Sequence, residues 1–247
     1  MSEIKVIVLA AGKGTRMGSE AANLPKVMRI ACGKPMLSYV LAALDFVPKQ
    51  DTILVTGFLA QTVTDAFPDY PAVLQQPQLG TGHAVQCARS HLEGFEGTVM
   101  VCCGDMPLVR KETFQGLLEA HRRSCAQCTL LSGTSDVPLA FGRVMQDAQG
   151  NFLEIVEDRD CTPEQKLVPD LNAGIYCFEN SWLLDALDGL RNENAQNEYY
   201  LTDVPALIQA AGGTVRVHRE EMNEQMIGVN TPEQLELVER YLSEGQI

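Results

Sequence analysis

Apolar residues follow two rhythms along this chain. Runs such as 4–10 (Ile-Lys-Val-Ile-Val-Leu-Ala) and 98–103 (Thr-Val-Met-Val-Cys-Cys) are almost continuously apolar, as strands buried on both faces are. Longer stretches between them mix apolar and polar positions at helical spacing. The pattern predicts strands at 4–10, 51–56, 73–75, 98–103 and 126–132, with helices at 36–44, 60–67, 83–88 and 112–122 between them. Such alternation predicts an α/β fold of Rossmann-like type: a mixed, mostly parallel sheet sandwiched by helices. Its ligand belongs beyond the C-terminal ends of the strands.

From about residue 135 the texture changes. Residues 142–157 read as a hairpin turning at 149–151, followed by a strand at 172–178 and a helix at 181–190. A further helix is expected at 201–211, starting near a Thr202-Asp203 cap signal, and a strand at 215–218. Thr231-Pro232-Glu233-Gln234 is an N-cap with proline at the first helical position, so residues 232–244 close the chain as a helix. There is no internal repeat and no linker, which predicts one domain over 1–247. Its first part, about 1–134, is expected to bind a nucleotide, and about 135–230 to elaborate the same domain.

Charge narrows the chemistry. Lys+Arg 19 against Asp+Glu 32 gives a net charge of -13 over 247 residues, which argues against binding a nucleic-acid backbone. Phosphate chemistry must therefore use a local basic site, helped by a divalent cation. Eight cysteines are scattered, and Cys125-x-x-Cys128 lacks a second pair at zinc spacing, so free and mostly buried thiols in a reducing, cytoplasmic setting are expected. The short apolar run ended by Gly12 is neither a signal peptide nor a membrane span.

The local basic site is at the first turn. Leu9-Ala10-Ala11-Gly12-Lys13-Gly14-Thr15-Arg16-Met17-Gly18 follows the first strand directly, and its glycines leave backbone N–H groups open to a phosphate. The spacing matches neither the dinucleotide G-x-G-x-x-G nor a Walker motif. Lys26, stiffened by Pro25, joins Lys13 and Arg16 in this cationic stretch. In one division of labour, Arg16 neutralises a leaving pyrophosphate and Lys26 bridges to the attacking phosphate.

Two further segments carry chemistry. Gln75, in Leu74-Gln75-Gln76-Pro77-Gln78-Leu79-Gly80-Thr81-Gly82-His83-Ala84, can donate and accept toward a base edge, and Thr81 offers a hydroxyl beside Gly80. His83 reads as a helix-start residue rather than a base. The strand at 98–103 ends in Gly104-Asp105-Met106-Pro107, which puts a carboxylate where a sheet enzyme holds Mg²⁺ against substrate phosphates. Asp105 as a plain turn residue is the competing reading.

Taken together, these segments resemble the sugar-phosphate nucleotidyltransferases. The resemblance is strongest to the uridylyltransferase domain of bifunctional uridylyltransferase/acetyltransferases acting on N-acetylglucosamine 1-phosphate. It extends through Phe141-Gly142-Arg143-Val144, Ile155-Val156-Glu157, Leu171-Asn172-Ala173-Gly174-Ile175, Asn197-Glu198-Tyr199-Tyr200-Leu201-Thr202-Asp203 and Gly228-Val229-Asn230. It implies the nucleotide-diphospho-sugar transferase fold and Mg²⁺ as cofactor. It also implies that Leu9, Ala11, Gly12, Lys13, Gly14, Gln75, Gly80, Thr81 and Gly104 hold the nucleotide, and that Gly142, Glu157, Asn172 and Thr202 surround the sugar. Asp105 and Asn230 would bind the metal, with Arg16, Lys26 and Asp105 catalytic. Blander readings stay open: Asn172 as a strand-start turn, Glu157 as a solvated edge carboxylate, Asn230 as part of a helix-start turn.

The implied reaction joins UTP and the sugar 1-phosphate into UDP-N-acetylglucosamine, an amino-sugar precursor of the cell envelope, and releases pyrophosphate. Alternatives are another sugar 1-phosphate (N-acetylgalactosamine or glucose), another nucleoside triphosphate, or a non-catalytic sugar-nucleotide sensor. Neither nucleic acid nor membrane is an expected partner. The repeat domain through which that family trimerises is not in this sequence, which leaves a stand-alone enzyme or a piece of a longer chain, and any homo-oligomer would need another surface. Residues 136–141 also depart from the family's usual run before Gly142, which bears on the choice of hexosamine.

Overall fold

In the computed structural model, which describes residues 3–19, 22–134 and 140–245, the first strand, Ile4–Ala10 (β1), divides its side chains between two cores. Val6, Val8 and Ala10 enter one apolar cluster and Ile7 enters the other. This is the period-two alternation of a strand covered on both faces.

The elements follow in the order β2 (Ile30–Ala31), β3 (Lys34–Pro35), α1 (Met36–Ala43), β4 (Thr52–Thr56), α2 (Ala60–Ala66), β5 (Ala72–Leu74), α3 (Thr81–Cys87), β6 (Thr98–Cys103) and α4 (Lys111–Ser124). Then come β7 (Cys128–Gly133), β8 (Arg143–Gln146), β9 (Phe152–Val156), β10 (Leu171–Glu179), α5 (Asn180–Asp188), α6 (Val204–Ala210), β11 (Val215–Glu220) and α7 (Pro232–Ser243). The main sheet runs β11-β7-β10-β6-β1-β4-β5, with the β8–β9 hairpin attached to β10. Along that path the pairs β11–β7, β6–β1, β1–β4 and β4–β5 are parallel, and β10 lies antiparallel to both its neighbours. The sheet is mixed and mostly parallel, as expected, and strands from both halves of the sequence share it.

Helix placement explains the two cores. Leu37 and Leu41 of α1, Val63 of α2 and Phe114 and Leu117 of α4 pack on one face with Leu54, Met100 and Cys177. Val85 of α3, Leu183 and Leu187 of α5 and Ile208 of α6 pack on the other with Ile53, Val101 and Phe178. A third, smaller cluster joins Met17 of the glycine loop to Leu108, Ile227, Val229 and Val238 of α7. It packs the segment after β1 and the turn after β6 against the closing part of the chain.

Several expectations need correction. Helix α3 begins at Thr81, two positions ahead of the expected start, because Gly80 supplies the break in the backbone with φ 110°. The Thr202-Asp203 signal does not act as a side-chain cap. Residues Leu201–Asp203 form a short 3₁₀ turn before α6, and the Thr202 hydroxyl bonds to Glu157 instead. Nor are the thiols mostly buried: Cys102, Cys128 and Cys177 are, Cys87, Cys103 and Cys161 are half-buried, and Cys32 and Cys125 are exposed. Those last two occupy turn positions with φ of 44° and 50°, where the chain leaves the core. All eight are free. The unusual run at 136–139 lies outside the described residues.

The closing helix forms as its sequence predicts. Thr231 accepts from the backbone N–H of Gln234, whose side chain reaches back to the Thr231 N–H at 3.1 Å, completing a capping box.

Candidate active site

The carboxyl ends of β1, β4, β5 and β6 open onto one cleft of about 910 Å³. From β1 the chain moves outward to β4 and β5 on one side and then crosses back from β5 to β6 on the other side of β1, so the cleft sits at the switch point of the sheet. Leu9, Ala11, Gly12, Lys13, Gly14, Gln75, Gly80, Thr81, Lys26 and Asp105 all line it.

The corner expected to be catalytic is built by three distant segments. The Gly104 N–H donates to the Leu9 carbonyl at 2.9 Å, which holds the turn after β6 against the end of β1. The Val229 N–H donates to the Asp105 carbonyl at 2.9 Å and so delivers the neighbouring Asn230. Lys26 rises from a short 3₁₀ turn whose Val27 and Met28 are buried. Its ammonium pairs with Asp105 Oδ2 and donates to Asn230 Oδ1 at 3.0 Å.

Lys26 is also fixed by its stem. A Cβ on Gly14, which has φ 67°, would stand 2.7 Å from Lys26 Cβ. Glycine is therefore required there for two reasons, the left-handed backbone and the packed lysine. Lys13 is exposed on the cleft wall, whereas Arg16 is exposed on the following turn, outside the lining. Among the described residues Arg16 makes no hydrogen bond or ion pair.

The wall expected to read a base centres on Gln75, which is buried. Its amide nitrogen donates to the Gly80 carbonyl at 2.8 Å and meets His83 Nδ1 at 3.2 Å, so Oε1 is the group left to read a base edge. His83 must then accept at Nδ1 and be neutral there, and burial lowers its pKa in the same sense. Gly80 and Gly82 are pressed against residues 198–200, where a Cβ on Gly80 would stand 2.5 Å from the Tyr199 carbonyl. Thr81 Oγ1 accepts from the Leu201 N–H at 3.0 Å.

The expected sugar residues gather beside this cleft rather than in its lining. Thr202 donates to Glu157 Oε1 at 3.0 Å, and the Asn172 N–H donates to the Gly142 carbonyl at 2.8 Å. Asn172 Nδ2 donates to the Tyr176 hydroxyl at 2.6 Å, which fixes the amide. Burial raises the Glu157 carboxyl pKa against the effect of its Thr202 hydrogen bond, and Asp160, Asp203 and Asp158 push the same way as burial. Cys103, at the end of β6, joins the two groups: it lines the cleft, and a Cβ on Gly174 would lie 3.7 Å from its sulfur. Burial, with Asp105 nearby, pushes its thiol up to about 12, so it is a neutral group.

Some lining residues escaped the sequence reading. Gln78 donates to the Ala11 carbonyl and ties the segment after β5 to the glycine loop, while Gly57 and Phe58 line the cleft beyond β4. Glu198 lines the mouth. The available signal was weak: a glycine just past a strand, and a third glutamine in a segment already singled out.

Comparison with known proteins agrees with this architecture. The family model for the MobA-like NTP transferase domain matches residues 6–161. A bifunctional protein GlmU of Pelotomaculum thermopropionicum is 43% identical over 241 residues, 97% of this chain and 52% of that protein. Another, of Pelobacter propionicus, is 42% identical over 245 residues, 98% of this chain and 53% of that protein. The chain thus spans about half the length of these curated relatives. Among solved structures, a putative glucose-1-phosphate thymidylyltransferase from Bacillus anthracis in complex with a sucrose superposes with a TM-score of 0.75 at 17% identity. That superposition covers 96% of this chain and 94% of that one, and it bears on the fold alone. With the glycine loop, the switch-point cleft and a family match over residues 6–161 in agreement, this chain belongs to the MobA-like NTP transferase domain family.

Proposed function

We propose that this chain transfers the uridylyl group of UTP to N-acetylglucosamine 1-phosphate, forming UDP-N-acetylglucosamine and pyrophosphate. The observation that carries the reading is the meeting of Lys26 and Asp105, which line the cleft beside the glycine loop, with Asn230, which joins them through Lys26 from outside that lining. Similarity to the GlmU proteins over nearly the whole chain supports it, and the functions of the other half of those proteins are not ascribed to this chain.

In this reading the part before about residue 134 holds the nucleotide and residues 135–230 supply the sugar site. The backbone of Leu9, Ala11, Gly12 and Gly14, with Lys13, cradles the phosphates, while Gln75, Gly80, Thr81 and Gly104 bound the nucleoside. Asp105 and Asn230 offer two hard oxygen donors, one charged and one neutral. That set fits Mg²⁺, which takes one or two protein ligands and completes its shell with phosphate oxygens and water. Bound there, the ion would reduce repulsion between the two anionic reactants.

The remaining work falls to the chain. Lys26 stabilises charge on the reacting phosphates, and Arg16, from its exposed turn, meets the departing pyrophosphate. Glu157 accepts from sugar hydroxyls while Thr202 orients it, and Asn172 with the bare backbone at Gly142 receives the acetamido side. The attacking phosphate oxygen is already an anion, so no general base is required, and alignment of the two substrates provides most of the acceleration. Among the described residues no helix is long and apolar enough to cross a membrane. We assign the reaction to the cytoplasm, where free thiols stay reduced.

The test is pyrophosphate release from a panel of nucleoside triphosphates against N-acetylglucosamine, N-acetylgalactosamine and glucose 1-phosphates, with and without Mg²⁺. UTP with N-acetylglucosamine 1-phosphate should give the highest kcat/KM, and only with the metal. A faster alternative pair would reassign the substrate. Binding of the nucleotide sugar without turnover would make the protein a sensor.

A further inference from the structure

We propose that the Lys26 ammonium is a built-in competitor of the divalent cation. It holds Asp105 and Asn230 until a triphosphate draws it away, so that metal and nucleotide enter together. The inference rests on the metal reading of Asp105 and Asn230 given above and adds an order of events to it.

Three features carry it. First, both expected ligand atoms, Asp105 Oδ2 and Asn230 Oδ1, already receive the same ammonium. The lysine and aspartate side chains are only 14% and 16% exposed, so each charge there depends on the other for compensation. An ammonium and a dication cannot share those two oxygens, because like charges at such separation repel strongly where water is scarce.

Second, the lysine is free to move only at its tip. Its stem packs against Gly14, and its turn is anchored by buried Val27 and Met28. Third, the tip has another place to go. A Cβ on Gly12 would lie 4.0 Å from Lys26 Cε, so the end of the chain hangs over the loop whose open N–H groups receive phosphate. A triphosphate on that loop gives the ammonium a competing set of anionic oxygens, and leaving Asp105 then opens the metal position. By linkage, metal and nucleotide must strengthen each other's binding.

The experiment measures Mn²⁺ binding to the nucleotide-free protein by the free-ion EPR signal, in wild type, Lys26→Met, Lys26→Arg and Asp105→Asn/Lys26→Met. Lys26→Met keeps the packed stem and removes the charge, and Lys26→Gln serves the same purpose should circular dichroism show it misfolded. We expect Lys26→Met to bind Mn²⁺ about tenfold more tightly than wild type, as removal of a competing charged partner implies. Lys26→Arg should stay as weak as wild type, and the double variant should lose the gain. Equal or weaker binding in both Lys26→Met and Lys26→Gln, with sensitivity to Asp105→Asn intact, would overturn the competition and leave the metal site standing. Mn²⁺ binding indifferent to Asp105→Asn, or none in any variant, would overturn both.

Discussion

The backbone N–H of Val229 donates to the carbonyl oxygen of Asp105 at 2.9 Å. That bond, with the packing of Leu108 on Val229, joins the approach to the closing helix to the turn after β6. It brings Asn230 within 3.0 Å of Lys26, a residue 204 positions away in the chain. The corner proposed to be catalytic therefore depends on backbone pairing as much as on the side chains it displays.

Asp105→Ala should remove turnover and leave the apolar cores standing, at some cost in Tm because the part-buried Lys26 ammonium loses its partner. Asp105 sits past the end of β6 and outside the apolar clusters, so its truncation leaves both cores intact. We expect kcat to fall by about 10²–10³-fold or more, the scale seen when a preorganised electrostatic group is lost. Pyrophosphate release and a thermal melt measured on the same preparation check this, and an unchanged kcat would refute the metal role.

Gly80→Ala should damage nucleotide affinity and stability together. The position has φ 110°, and a Cβ would meet the Tyr199 carbonyl at 2.5 Å. Strain of about 1–3 kcal/mol is expected. In a domain of this size that lowers Tm by about 2–4 °C per kcal/mol. Gly212→Ala, with φ 90° and nothing within 4 Å, is the control that carries backbone strain without the clash.

Glu157→Gln should stabilise the protein while weakening its grip on the sugar. Burial raises the folded pKa above the ordinary 4.5, so the stability tied to the protonated carboxyl is fully present below 4.5 and is lost as pH rises through the folded value. Glutamine removes that penalty. Tm should rise at pH 7–8 and change little near pH 4, while KM for the sugar 1-phosphate rises about ten- to hundredfold, the worth of hydrogen bonds to a charged acceptor. A lower Tm at pH 7.5 would contradict it.

Acid should loosen nucleotide binding through His83. Its neutral Nδ1 faces the Gln75 amide, and burial depresses its pKa below 6.5. A depressed folded pKa means that the associated stability holds above 6.5 and is lost as pH falls through the folded value. Between pH 7.5 and 5.5, KM for UTP should rise about two- to tenfold, the range of one hydrogen bond. His83→Asn should flatten that profile in a titration of KM against pH.

Sequence legibility followed the range of the interactions involved. The Gly12–Gly14 loop, the Gly104-Asp105 strand end and the Thr231 N-cap are local devices, written within a few residues, and each was readable in advance. Thr202 was misread because its hydroxyl had two partners available, the adjacent helix start and Glu157 across the fold, and spacing along the chain cannot rank them. Gln78 was missed for a related reason, since its partner is the Ala11 carbonyl in a different segment.

By itself the amino-acid order determined the alternation of strands and helices, the doubly covered sheet and the chemical types at each strand end, because periodicity and backbone propensity act over short distances. Only the tertiary structure decided that Lys26, Asp105 and Asn230 share one corner, that Arg16 stays on an outer turn and that the residues expected to surround the sugar lie outside the lining of the cleft. Those outcomes depend on strand order, on the Met17–Val229 cluster and on single backbone bonds between remote segments, whose free energies exist only once the chain has closed on itself.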